Sequence, residues 1–419
     1  MKHLLTTSLF FISTFCFSQV TTDFQNTGAD SGKHEFKLQA KKDTADYTNA
    51  YRILTSQVNT NPTNAELRYF LAYAIDRMNA GDGSGMLQLK KEMTIEASEQ
   101  LEEVNRLEPI YKGELFLLDP YSKLTSIWGS LAEAYLNRKL TDSAVWAFTE
   151  GKKRGGFIEP VLAFNRQLLN SCDSNAILIT YGDNITIPIW YLQTIESYRT
   201  DIVVVDANLT NASWYSKYLK SEKKLAISFS EEAIDTIDYM PWTSQTVSIV
   251  HPADANQTFS WELRPTYMEK YILKGDRMVL DILQQNLYTR PIYFNINSDS
   301  TYNLFLTPFL TDEGLVSRIN PGLKVSEDSV FVSKNIYSYT LEKINETDIE
   351  KSRDAVILLN NYRLTFFYNI YRLASEKKHA KAKELINLVT TQFPKEKLPF
   401  ISQEFQKYFT DIYEQVQKN

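Results

Sequence analysis

From Ala45 to Asn170, apolar residues recur at three- and four-residue spacings, the period of helices that bury one face. Ala50, Leu54 and Pro62 keep intervals that return as Ala97, Leu101 and Pro109. The pattern is clearest from Thr125 to Gly156, where Trp128, Leu131, Ala132 and Tyr135 line one helix face and Ala144 and Phe148 the next. Small Ala132 and Ala144 let two helices approach closely, while the aromatic side chains fill the space between successive hairpins. After Asn170 the period changes. Ala176–Tyr181, Ile202–Asp206, Leu225–Phe229, Val247–Val250 and Pro291–Asn295 read as strands, interleaved with helices over Ile187–Arg199, Ser213–Lys220 and Asp276–Asn286. Such alternation predicts βαβ units. From Arg353 the helical period returns. Ala382, Ile386, Val389 and Pro394 repeat the earlier spacing, and Ile401, Phe405, Phe409, Ile412 and Val416 form the stripe of a closing helix.

The expected fold is therefore an α/β domain with a mainly parallel sheet, flanked by all-α hairpins of tetratricopeptide type. The boundaries read as a signal peptide over 1–18, a flexible lead-in over 19–44, a helical domain over 45–170, the α/β domain over 171–345 and C-terminal repeat-like helices over 346–419. The signal reading rests on Lys2, the apolar run from Leu4 to Phe17, and small Ser18. It implies export, with a periplasmic, secreted or peripherally attached product. Cleavage there removes Cys16 and leaves Cys172 as the one thiol, so no internal disulfide is expected. No later run approaches the roughly 20 apolar residues that span a bilayer. A net charge of -6 with scattered basic residues argues against nucleic acid.

Candidate chemistry gathers at Tyr181-Gly-Asp-Asn184, between a strand buried on both faces and a helix bearing Pro188 in its first turn. That position is the carboxyl edge of a parallel strand, where open α/β sheets bind ligands. Asp183, Asn184 and Thr186 occupy it, Asp206 ends the next strand, and Asn208 follows it. Trp214 and Tyr215 lie close behind in the sequence, as a stacking platform for a sugar or as a seal between helix and sheet. Each has a structural alternative: Asp183 can cap the helix, and the asparagines can form turns. Arg264, Arg290 and Arg318 are candidate anion clamps. No phosphate-loop lysine, His-Glu-x-x-His, Gly-x-Ser-x-Gly or cysteine cluster occurs, so neither metal nor cofactor is expected.

The stretch Ala176-Ile-Leu-Ile-Thr-Tyr-Gly-Asp-Asn-Ile-Thr-Ile-Pro188 with its continuation to Gln193, together with Arg199–Val205, Asn211–Tyr215, Asp276–Leu283, Arg290–Phe294, Glu313–Leu315 and Leu358–Arg363, resembles the domain of unknown function 2723 family. The resemblance covers roughly residues 171 to 395 and is to the soluble C-terminal region of these membrane proteins of Gram-negative bacteria, which are related to lipid-dependent glycosyltransferases. It implies a glycan-related role in the cell envelope. The membrane-embedded half of that family has no counterpart here, so transferase activity is not carried over. Ile185 also stands where the family's turn has a second acid.

Two functions emerge as expectations. In the first, the chain is an exported binding or assembly module that takes a protein partner on its helices and a polar ligand or glycan at the strand edge. In the second, it is a carbohydrate-active or phosphoester-processing enzyme using Asp183 and Asp206.

Overall fold

The computed structural model describes residues 30–42, 45–81, 85–296, 300–321, 334–341 and 346–418. The expected signal peptide and most of the insertion Gly81–Gly85 lie outside these residues. Polar composition predicts a flexible segment before Ala45, yet Ser31–Gln39 forms helix α1. Phe36 anchors it from within an aromatic cluster with Tyr47, Phe70, Tyr73 and Phe116, and Lys33 pairs with Glu66 at 3.2 Å. A docked helix needs few apolar side chains when its neighbours supply the rest of the core, which is why composition misleads here.

Helices α2 (Thr48–Thr60), α3 (Ala65–Ala80), α4 (Lys91–Leu107), α5 (Pro120–Asn137), α6 (Thr141–Lys153) and α7 (Glu159–Asn170) come next. Neighbours in sequence pack together from α1 to α6, as in helical hairpins, whereas α7 packs on the later helices Asp183–Ile195 and Arg353–Ser375. The periodic residues Ala50, Leu54, Ala97, Leu101, Trp128, Leu131, Ala132, Ala144 and Phe148 are all buried. Helix α5 is enclosed on nearly every side over its first four turns. It touches α4, α6 and helix α8 (Asp183–Ile195). The approach to α8 depends on Gly129, where an added Cβ would come within 2.0 Å of Ile187 Cγ2.

The central sheet has five strands in the order β2 (Val203–Asp206), β1 (Ile177–Thr180), β7 (Ile292–Asn295), β9 (Val316–Ile319), β8 (Leu310–Asp312). It is mixed where a mainly parallel sheet is expected. β1 pairs in parallel with β2 and β7, but β9 pairs antiparallel with both β7 and β8. The cause is the short turn from Asp312 to Val316, since only antiparallel neighbours can be joined by so few residues.

Two other predicted strands belong elsewhere. Leu225–Phe229 enters no ladder, because helix α11 (Lys274–Asn286) supplies its backbone partners. Asp281 accepts from Ser228 N–H at 2.8 Å, and Asn286 Nδ2 donates to the Ala226 carbonyl at 2.8 Å. Val247–Val250 lies in β4 (Gln245–His251), which forms an antiparallel ribbon with β5 (Asp254–Leu263) outside the main sheet. The remaining short elements are helices α9 (Ser213–Ser221) and α10 (Glu231–Thr236), and the paired strands β3 (Met240–Pro241) and β6 (Tyr271–Ile272).

The chain closes with α12 (Glu346–Lys351), α13 (Arg353–Ser375), α14 (His379–Gln392) and α15 (Gln403–Lys418). Helix α13 packs against α7, and Thr365 Oγ1 on it donates to the Gly314 carbonyl at 3.2 Å. No helix among the described residues is long and apolar enough to cross a membrane.

Arg363 on α13 orders the turn between α14 and α15. Its guanidinium is buried and donates to the carbonyls of Phe393 at 2.8 Å, Leu398 at 2.5 Å and Pro399 at 3.3 Å, and to Asn360 Oδ1 at 2.8 Å. It also lies over the Phe400 ring, 4.0 Å from the centroid. Replacing Arg363 by leucine strands those carbonyls in an apolar setting and is expected to cost about 2–4 kcal/mol. Lysine should not restore the loss, because a point charge cannot serve carbonyls spread around a planar fork. Denaturant midpoints of the two variants check this, and a leucine variant as stable as the parent would contradict it.

Candidate functional site

The sequence Ile177-Leu-Ile-Thr180 is apolar and β-branched, and β1 is buried throughout. It ends in a turn at Gly182, whose φ of 92° and ψ of 141° disfavour any side chain. No atom lies within 4 Å of an added Cβ there, so the backbone conformation and not space calls for glycine. Helix α8 begins at Asp183, and the Gly182 carbonyl accepts from Ile185 N–H at 3.0 Å and Thr186 N–H at 3.1 Å. Pro188, expected in the first helical turn, sits further inside because the helix starts earlier. Proline has no N–H to offer the carbonyl four residues back. That carbonyl, of Asn184, accepts instead from Asn165 Nδ2 on α7 at 3.0 Å.

Register places Thr180 opposite Asp206 across β1 and β2. A buried chain of polar groups joins them. Thr186 Oγ1 lies 2.8 Å from Thr180 Oγ1 and donates to Asp206 Oδ2 at 2.7 Å. Asp206 Oδ1 accepts from Leu209 N–H at 2.9 Å, and its own N–H donates to the Tyr215 hydroxyl at 2.9 Å. Burial pushes the Asp206 carboxyl up to about 6, against the pull of the Thr186 and Leu209 hydrogen bonds and with the charge of Asp183 adding to the rise.

The seven expected site residues divide in two. Thr186, Asp206 and Tyr215 are buried and hold strands and helices together. Asp183 and Asn208 are exposed, while Asn184 and Trp214 are half-buried, so these four remain within reach of solvent. Asp183 Oδ2 accepts from Ser126 Oγ on α5 at 2.8 Å. The Asn208 carbonyl accepts from Asn211 Nδ2 at 3.0 Å, the turn role open to it from the sequence. Trp214 packs edge-on to Tyr215, with centroids 5.5 Å apart, and its buried Nε1 has no hydrogen-bond partner. Tyr215 is core, not a stacking platform.

The arginines are structural as well. Arg290 donates to the carbonyls of Asn175 at 2.7 Å and Ala176 at 3.1 Å, Arg318 pairs with Asp173 at 2.8 Å, and Arg264 pairs with Glu262 at 3.2 Å. An open depression lined by Met240, Pro241, Trp242, Gln245 and Lys270 among others lies on the β3–β6 pairing, and none of the seven residues lines it.

One acid escapes sequence reasoning. Glu133 lies on α5 with Oε1 buried and unpartnered. Burial pushes its carboxyl up to about 7, opposed by Lys223 and assisted by Asp206. The available signal was its setting, Leu131-Ala-Glu-Ala134, inside the sharpest helical repeat. A single acid in such a run reads as the solvated face of an amphipathic helix. It is buried because α8 packs on α5 and α9 brings Tyr215 and Tyr218 into its neighbourhood.

Across this region the chain matches a family described as TMEM260-associated domain 2, over residues 161–239 and 236–340. The match takes in α7, the five-stranded sheet and both halves of the strand edge, and it leaves out the helices before and after. No curated protein matches the chain.

A carboxyl raised by burial retains its proton in the folded state, so the stability it permits is present at low pH and falls as pH rises from the ordinary carboxylate range to about 7. Glu133→Gln fixes the neutral form. The variant is expected to be more stable than the parent by about 1–3 kcal/mol at pH 8, with the difference vanishing near pH 4. Asp206 titrates in both proteins, and its charge, which assists the rise at Glu133, adds to the difference at pH 8. Denaturant midpoints at the two pH values test this, and a glutamine variant weaker at pH 8 would mean that Glu133 is charged and paired.

Proposed function

We propose that the chain is an exported binding or assembly module. In this reading the hairpins of α2 to α7 are tetratricopeptide-like and take a protein partner. The parallel half of the sheet, β1, β2 and β7 with α8, serves as an α/β unit that presents a polar ligand site. The ligand meets the lip formed by Asp183, Asn184 and Asn208, with Trp214 at its side. A carboxylate beside amides is the donor and acceptor set that recognises sugar hydroxyls. Asp183, with Asp206 and Glu133 behind it, disfavours an anion, so a neutral glycan fits better than a phosphorylated one.

The observation that carries this reading is the burial of Asp206 with both carboxylate oxygens engaged. A two-carboxylate hydrolase needs both acids at the same scissile bond. Asp183 alone of the pair reaches solvent. One feature favours the enzymatic alternative: an Asp206 carboxyl near 6 suits a proton donor at neutral pH. To act so, it must leave Thr186 and Leu209.

Glycan-array binding by the purified chain tests the proposal. Retention of neutral saccharides is expected, falling at least about tenfold in Asn208→Ala with the melting temperature unchanged, and in Asp183→Ala with the chain still folded although the Ser126 bond is lost; tenfold corresponds to the loss of one good polar contact. Binding indifferent to both substitutions would remove the lip from the reading. Release of product from any bound saccharide, lost in Asp183→Asn, would establish the enzyme instead.

A further inference from the structure

The N-termini of α5 and α13 meet head to head through two aspartates that are 235 residues apart in sequence. Asp119 N–H donates to Asp354 Oδ2 at 2.8 Å, and Asp354 N–H donates to Asp119 Oδ2 at 2.8 Å. Each carboxylate thus accepts from the backbone of the other. Asp119 also caps its own helix, with Oδ1 accepting from Ser122 N–H at 3.0 Å, and receives the Ser352 hydroxyl on Oδ2 at 2.5 Å. Ser352 in turn caps α13 through Ala355 N–H at 3.0 Å.

Two carboxylates held this way repel one another when both are charged, and no cation bridges them within the described residues. The groups around them are Tyr69 on α3, Tyr121 on α5, Asp348 on α12 and exposed Arg353 on α13. Of these only Arg353 offsets the negative charge on the pair, since Lys351 on α12 is held by Asp348 at 3.0 Å. The donors decide which acid keeps a proton. Asp119 accepts from Ser122 N–H, the Ser352 hydroxyl and Asp354 N–H, whereas Asp354 accepts from Asp119 N–H and has only the Ser122 hydroxyl besides. The charge belongs on Asp119 and the proton on Asp354.

We propose that Asp119 and Asp354 form a proton-responsive clasp, closed while Asp354 is neutral and loosened when it ionises, which controls the docking of α13 to α15 onto the N-terminal helices. Burial, and for Asp354 the adjacent Asp119 charge, pushes both carboxyls above their ordinary range, in keeping with opening on the alkaline side. The sign comes from linkage. A proton held more tightly in the closed state stabilises closure at low pH, and that stabilisation is lost as pH rises through the folded-state titration. The helix N-terminal dipoles on both sides limit the repulsion without cancelling it, since each favours a single nearby negative charge.

Hydrogen exchange of the full chain, read at the Asp119 and Asp354 amides and corrected for intrinsic rates, tests the clasp between about pH 5.5 and pH 8.5. A Glu133→Gln background removes the nearest confounding titration on α5. Protection at both amides is expected to fall about tenfold across that range, equivalent to one unit of differential proton affinity. Asp354→Asn keeps the acceptor for Asp119 N–H without the charge, and should remain protected at both ends of the range. Asp354→Ala removes the acceptor of Asp119 N–H and should leave that amide unprotected throughout. Protection that does not change with pH in the parent, or that falls equally in Asp354→Asn, overturns the proposal. If Asp354→Asn does not fold, the side-chain carboxyl titration of Asp354 by carbon NMR in the parent decides the matter: a midpoint in the ordinary carboxylate range would overturn it, and a raised midpoint would support it.

Discussion

A helix with no free side must direct its polar side chains at its neighbours, and α5 does so along its length. Lys123 pairs with Asp76 on α3 at 2.6 Å, the Trp128 indole donates to Ser98 on α4 at 2.9 Å, and Thr125 Oγ1 accepts from Phe157 N–H at 2.8 Å. Ser126 holds Asp183, and Asp119 joins α13. Each of these would cost free energy if left alone in the interior. Matched to a distant segment, each fixes where that segment lies. The helical layer, the strand edge and the C-terminal helices are all referenced to one element, with Gly129 permitting its closest contact.

Buried carboxyls are the other side of that arrangement. Glu133, Asp206 and Asp312 are each pushed up by burial, to about 7, 6 and 6. Such groups favour the neutral form inside the protein, and they make the chain's cohesion depend on proton concentration more than its modest net charge suggests. At the strand edge this separates two roles that sequence alone merges. Asp183 follows one strand and Asp206 ends its neighbour, and the two look equivalent along the chain, but one faces solvent and the other carries the internal hydrogen bonding.

Elements whose pattern was set by their own residues were legible. Ile177–Thr180, Val203–Asp206 and Ile292–Asn295 lie within the runs expected of buried strands, and the stripe Phe405, Phe409, Ile412, Val416 is buried as a helix face should be. The hidden features depended on a distant partner. Leu225–Phe229 has the composition of a strand, but Asp281 and Asn286 occupy its backbone. The hairpin that makes the sheet mixed comes from a short turn near Gly314, and α1 exists because Phe36 finds aromatic neighbours far along the chain. Of the site, the turn and its exposed residues were readable, whereas the burial of Asp206 and Tyr215 and the presence of Glu133 were decided by which helices came to lie over them.

Pro188 takes one rung out of the backbone ladder of α8. The opening turn is closed by the Gly182 carbonyl, the remainder runs on beyond the proline, and the carbonyl at the joint is handed to Asn165 on α7. Asp183 and Asn184 therefore stand at a helix entrance fixed in part by another helix. The entrance of α8 is thus tied to α7 by a side chain, and a change at Asn165 reaches the strand edge directly.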